Sequence, residues 1–263
     1  MSNPKLSLDG LTFQATKIDI SNNILSITLN RPEKKNALNN VMMNELNYAL
    51  AYAKQQREIR VVVIGAEGDV FCAGADLRRA KEESNVPKLE HADDVSFSLR
   101  RLHKPVICKI QGSVLAGALL IVTNSTHAIA VKEATFSAPE IHRGLWPFMV
   151  MAGLFRVMPK RAGLDFIMRG QPIDARQAEQ WGLINQSVPA NELEKTVSDL
   201  ANELASLAPE TMQLGLAAYE QQDALAFDEA LPYLQEQIAQ CFQSDDAKEG
   251  IAAFLEKRQP HWK

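Results

Sequence analysis

Phe71-Cys72-Ala73-Gly74-Ala75-Asp76-Leu77 and, further on, Gln111-Gly112-Ser113-Val114-Leu115-Ala116-Gly117-Ala118 are the two stretches on which this chain's reading turns. Each is a small-residue turn that follows a β-rich apolar run, Val61 to Ile64 before the first and Val106 to Ile110 before the second. Each also precedes a helical pattern. At such a junction the first backbone N–H groups have no intrahelical partner, and the helix dipole favours negative charge. Two junctions meeting at one point offer a pair of donors to a developing oxyanion.

Outward from these turns, strands and helices alternate. Leu11 to Ile20 and Ile24 to Asn30 read as strands joined by the turn-prone Ser21-Asn22-Asn23. Asn39 to Arg57 has helical spacing through Met42, Leu46, Leu50 and Ala53. Arg60 to Gly65 is nearly continuous in β-branched residues, as in a strand buried on both faces. Helices are expected over Asp76 to Ser84 and Asp93 to His103. Short buried strands are expected at Val106 to Ile110, Ala128 to Val131 and Leu183 to Val188. Helical pieces are expected at Val114 to Asn124, Phe148 to Val157, Ala162 to Arg169 and Ala175 to Trp181. From Asn191 the strand signal ends, and Glu192 to Leu207, Pro209 to Gln222, Phe227 to Gln243 and Asp246 to Arg258 follow as helices. The expected organisation is an α/β body over 1–200 and a helical region over 201–263.

With 46% apolar and 23% charged residues, the composition is that of an ordinary globular protein. Its 28 Lys and Arg against 32 Asp and Glu, a net charge of −4, imply no general attraction to nucleic acid. Cys72, Cys108 and Cys241 have no metal-ligand spacing and read as thiols of a reducing compartment. The longest strongly apolar run, Val114 to Val122, is too short to span a bilayer. Met1 to Gly10 lacks the character of a signal or transit peptide, so the expected location is cytoplasmic.

Further motifs extend the two turns. Leu29-Asn30-Arg31-Pro32 with Asn36-Ala37-Leu38 precedes them, and Lys104-Pro105-Val106-Ile107 lies between. Phe136-Ser137-Ala138-Pro139-Glu140-Ile141, Gly144-Leu145, Ala178 to Leu183 and Glu249-Gly250 to Lys257-Arg258 follow. In this order and spacing the chain resembles the crotonase superfamily, the enoyl-CoA hydratase/isomerase group, from about Ile24 to the C-terminus. The resemblance implies a ββα spiral with a helical C-terminal region that packs trimers, often paired into hexamers. It also implies binding of acyl-CoA thioesters.

By position, the resemblance makes Ala75 and Gly117 the oxyanion-hole amides. It puts Ala73, Asp76 and Leu77 beside the adenine end of CoA, with Ala37 also on the substrate. Lys34 or Lys35, Phe254 and Lys257 are its candidates for the CoA phosphates and adenine, the last two from a neighbouring subunit. No metal or redox cofactor is implied, coenzyme A being part of the substrate.

Hydratases of the group carry one glutamate three residues after the oxyanion glycine and a second in the segment matching Glu140. Here the first position is Leu120. One carboxylate, its pKa raised by burial, suffices to take a proton from one carbon and deliver it to another. Adding water is a less obvious task for it, although some relatives hydrate with this single glutamate. Trp146 and Phe148, where many relatives have a Gly-rich turn, narrow or reshape the acyl pocket. The group's dienoyl isomerases carry an acid where Phe148 stands, so that activity is not expected. Plainer readings stand beside these. Asp76 is equally an N-cap, His142 a surface residue, Asn124 a helix residue one turn beyond Leu120, and Cys72 a small core residue. The expected function is hydration or isomerisation of an unsaturated acyl-CoA. A decarboxylase or retro-aldol lyase of the same superfamily and a non-catalytic acyl-CoA binder are the alternatives.

Overall fold

The computed structural model describes residues 5–78, 83–89 and 94–262. Its first half runs β1 (Thr16–Ser21), β2 (Ile24–Leu29), α1 (Asn40–Gln55), β3 (Val61–Ala66), β4 (Val70–Cys72), α2 (Val95–Arg100), β5 (Val106–Ile110), β6 (Ser113–Leu115), α3 (Leu119–Thr123), β7 (His127–Val131) and β8 (Thr135–Ser137). The second half runs α4 (Phe148–Val157), α5 (Lys160–Arg169), β9 (Ile173–Asp174), α6 (Ala175–Gln180), β10 (Gln186–Val188), α7 (Leu193–Ala205), α8 (Pro209–Gln222), α9 (Phe227–Cys241) and α10 (Asp245–Glu256).

Two sheets result. The larger has the order β1-β2-β3-β5-β7-β10, parallel except for the β1–β2 hairpin. The smaller has the order β4-β6-β8-β9, with only β9 antiparallel. The pairs β3–β4, β5–β6 and β7–β8 each lay one strand in the large sheet and the next in the small one before the chain turns into a helix. This is the repeated ββα unit expected from the sequence. β3 and β5 run through the core with Val61, Val62, Ile64, Ile107 and Cys108 essentially inaccessible, as their unbroken apolar character requires. α1 is capped by Asn39, whose side chain accepts the Met42 N–H, and buries Met42, Leu46 and Leu50 against the sheet. Each such side chain contributes roughly 1.5–3 kcal/mol. α7 adds Leu193, Val197, Ala201 and Ala205 to the same core. Among the described residues no helix is long and apolar enough to cross a membrane.

Several expected boundaries move, each for a local reason. The first strand begins at Thr16, not Leu11. Buried Glu45 takes the N–H groups of Gln14 and Ala15 and the Thr16 hydroxyl, so residues 14 and 15 give their donors to a carboxylate. Leu183 lies in the turn that closes α6, its N–H bonded to Ala178 O, so β10 starts only at Gln186. The expected helix at Val114 is first a strand. Ser113–Leu115 pairs with β4 and β8, and a short 3-10 turn, Ala116–Ala118, precedes α3. Asp76 and Leu77 are not helical, and the remainder of the helix expected there falls partly on residues 79–82, outside the described residues. α2 starts at Val95, with Asp94 as its cap, while Asp93 is also outside them.

Candidate active site

Segment 35–38 and segment 73–76 run side by side. Leu38 donates its N–H to Gly74 O at 2.8 Å and accepts the Asp76 N–H at 2.9 Å. These two bonds bracket Ala75 in a parallel bridge, so the Ala75 N–H faces away from Leu38. It is this bridge, not a helix start, that leaves the amide unused. Ala73 N–H is tied down separately, to Lys35 O at 3.0 Å.

The second turn presses against the first. A Cβ placed on Gly117 would lie 3.5 Å from Ala75 N, and one placed on Gly74 would lie 2.9 Å from Gly117 N. Gly117 is the second residue of its 3-10 turn, where an N–H finds no partner within the turn. The preceding Ala116 sits at φ +53°, a left-handed conformation costing an alanine roughly 1–2 kcal/mol. Two backbone amides therefore lie together on a cavity of about 770 Å³.

Glu140 lines the same cavity from a 3-10 turn, Pro139–Arg143, that leaves the end of β8 and is closed by Gly144 at φ +68°. Its Oε2 is buried with no hydrogen-bond partner among the described residues. Burial pushes the Glu140 carboxyl above the usual carboxylate range, against a smaller lowering by its own backbone N–H and the charge of Arg143. Leu120, 9% exposed on α3, is part of the lining as well. The cavity therefore sets an ionisable carboxyl among apolar walls, the setting that raises proton affinity.

From residue 19 to residue 263 the chain matches the family model for enoyl-CoA hydratase/isomerase. The chain belongs to the enoyl-CoA hydratase/isomerase family. It is 31% identical to the short-chain-enoyl-CoA hydratase of Clostridium acetobutylicum, over 88% of this chain and 91% of that one. It is 29% identical to human enoyl-CoA hydratase domain-containing protein 3, mitochondrial, over 91% and 80% respectively. The crystal structure of an enoyl-CoA hydratase from Mycobacterium smegmatis aligns with a TM-score of 0.86 at 27% identity, covering 95% of this chain and 99% of that one. The spiral of ββα units is thus the crotonase fold.

Most residues that the sequence singled out meet in this cavity of the enoyl-CoA hydratase/isomerase fold. Lys34, Lys35, Ala37, Ala73, Ala75, Asp76, Leu77, Gly117, Leu120, Glu140, Trp146 and Phe148 all line it. Phe254 and Lys257 do not. Phe254 is 82% exposed on α10, and Lys257 is its left-handed C-cap. Asp76 caps no described helix. It accepts the Arg78 N–H and pairs with Arg31 at 3.3 Å, which holds its carboxyl below the usual range. Trp146 donates its indole N–H to the Met151 sulfur at 3.0 Å, so that ring is fixed, whereas Phe148 is 75% exposed.

The plainer readings fare well elsewhere. Asn124 turns its amide back to Leu120 O at 2.8 Å and His142 is exposed, and neither lines the cavity. Sequence reasoning missed Arg78 and Arg143, two cations of the lining. Arg143 had one legible signal, its spacing of three from Glu140. The Cys72 thiol donates to Asn36 O and is pushed up to about 12 by burial, so it is no nucleophile. Cys108 is likewise buried, at about 12, while Cys241 is half-buried. A thiol reagent should therefore label native protein at Cys241 and reach Cys72 and Cys108 only after unfolding, as peptide mass mapping would report. Fast native labelling of Cys72 would contradict this burial.

Proposed function

We propose that this chain binds an unsaturated acyl-CoA thioester and transfers a proton on it, isomerising or hydrating it through an enolate, with Glu140 as the single acid/base. One observation carries the reading. Glu140, whose Oε2 is buried without a hydrogen-bond partner among the described residues, lines the same cavity as Ala75 and Gly117. In this scheme Glu140 takes a proton from the carbon next to the thioester carbonyl. The charge moves to the carbonyl oxygen, where the Ala75 and Gly117 N–H groups bind it most strongly as it develops. Glu140, now protonated, returns the proton to the γ-carbon, and the double bond shifts. Burial suits a carboxyl that must be a competent base and acid in turn.

Leu120 favours the double-bond shift, because leucine cannot orient a water. Hydration is the second reading. It is supported by the names of two relatives, the Clostridium enzyme and the mevalonyl-coenzyme A hydratase of Aspergillus fumigatus, 30% identical. Lys34, Lys35, Ala37, Ala73, Asp76 and Leu77 would hold CoA, with Phe254 and Lys257 reaching it from a neighbouring subunit of a trimer or hexamer. The chemistry asks for no metal or redox cofactor, since the thioester itself acidifies the proton. The buried thiols suit a reducing, cytoplasmic compartment.

Mass spectrometry of 2-enoyl- and 3-enoyl-CoA thioesters incubated in D₂O, where a double-bond shift is read as solvent deuterium taken up without added water, tests this. A shifted double bond is the expected product. Gain of one water would select hydration, cleavage of the acyl group would select a lyase, and binding without change would leave a non-catalytic acyl-CoA protein. Leu120→Glu should raise the ratio of hydration to isomerisation by supplying the second carboxylate. Its carboxyl, buried and polar even when protonated, should also lower stability by at least roughly 1–3 kcal/mol, which product ratios and a melting curve would show.

A further inference from the structure

Arg143 ends the 3-10 turn that carries Glu140. Residues three apart in such a turn lie one above the other, and both side chains line the cavity. Several other arginines of the fold are committed, although Arg78 of the same cavity is not among them. Arg31 holds Asp76 and Ala37 O, Arg156 holds Asp223, and Arg258 holds Glu249 and Glu256. The Arg143 guanidinium has no hydrogen bond or ion pair with any described residue. It does not close on Glu140, although its charge is felt there.

Its surroundings give this cation a distinct position. Lys34, Lys35 and Arg78 come from the segments assigned above to the CoA end. Arg143 comes from segment 139–150, whose other cavity-lining side chains include Leu145, Trp146, Phe148 and Met149. Arg143 is exposed at the cavity wall, as are Leu145, Phe148 and Met149 beside it, and an uncommitted guanidinium there is a poor neighbour for a plain alkyl chain that covers it. An alkyl group would displace its water and offer no acceptor in return. A carboxylate would satisfy it with two parallel N–H donors.

We infer that Arg143 receives a carboxylate carried by the acyl group, so that the substrate class is an unsaturated dicarboxylic acid bound as its mono-CoA thioester. This rests on the acyl-CoA reading above.

The test compares kcat/KM for two enoyl-CoA thioesters of equal chain length, one ending in a methyl and one in a carboxylate. Wild type, Arg143→Gln and Arg143→Lys are measured on both. The wild type should prefer the carboxylated thioester. Arg143→Gln should lower that preference ratio about 10–10²-fold, the scale of a hydrogen bond to a charged group, and Arg143→Lys should restore part of it. A wild type that prefers the methyl thioester would overturn the inference and leave the acyl-CoA reading standing. So would an Arg143→Gln variant that loses equal activity on both, since Arg143 would then act only through Glu140. A wild type inert on both thioesters would sink the acyl-CoA reading itself, and this inference with it.

Discussion

Glu140→Gln should lower turnover by about 10²–10⁴-fold, the usual contribution of a positioned acid/base, while CoA-thioester binding persists. The same change should raise thermal stability at neutral pH. In the folded chain the Glu140 carboxyl holds its proton more tightly than its ordinary value of 4.5, because burial disfavours its charged form. Above the folded pKa the native state carries a buried charge that the unfolded state exposes to water, and this costs stability. Below 4.5 both states are protonated and the cost is gone. The variant should therefore melt higher than wild type at pH 7, with the gap closing as pH falls towards 4.5. Activity of the wild type should fall with pH through an apparent pKa above 4.5, since the base form must take the proton. An unchanged kcat in Glu140→Gln would remove Glu140 from the chemistry.

Gly74→Ala should be nearly as damaging through a different route. Gly74 sits at φ +84°, where an alanine is strained by about 1–2 kcal/mol. Its Cβ would also stand 2.8 Å from Leu115 O and from Ala116 Cβ. A carbonyl oxygen, a backbone nitrogen and an alanine Cβ cannot swing aside, so the two turns must separate. The Ala75 and Gly117 amides would part with them. Loss of one such donor commonly lowers kcat about 10²–10³-fold, and a similar loss is expected here, with a total destabilisation of roughly 2–4 kcal/mol. Kinetics and a melting curve on one preparation would separate the two effects. A variant of wild-type activity would mean that the amide pair is not used.

The contrast between these two sites shows what the chain displays openly. Val61 to Ile64 and Val106 to Ile110 are legible as buried strands because both faces must be apolar, and α1 is legible from its period and from Asn39. β4, β8 and β9, two or three residues long, are too short for any alternation to register. Val114-Leu115 reads as helix by composition. What makes it a strand is tertiary: the Gly112 backbone packs so closely on Asp69 that a Cβ there would collide with its carbonyl. Ala75 and Gly117 carry no side-chain chemistry, so only the motifs around them mark the pair. The unused Ala75 donor depends on the Leu38 bridge, formed by residues far apart in sequence, and the Gly117 donor on its place in the 3-10 turn. Glu140 is legible from Ala138-Pro139-Glu140, and its burial matches the expectation of a raised pKa. Arg143 is an ordinary arginine in a turn until the fold brings it to the cavity.

The most direct test of a single carboxylate working with two amides is a 3-enoyl-CoA thioester followed by NMR in D₂O, with wild type and Glu140→Gln side by side. The wild type should move the double bond into conjugation, with deuterium entering wherever the Glu140 proton exchanges with solvent during the transfer. The variant should be at least about 10²-fold slower. Equal rates for the two proteins, or a wild type that binds the thioester and leaves it unchanged, would contradict this mechanism.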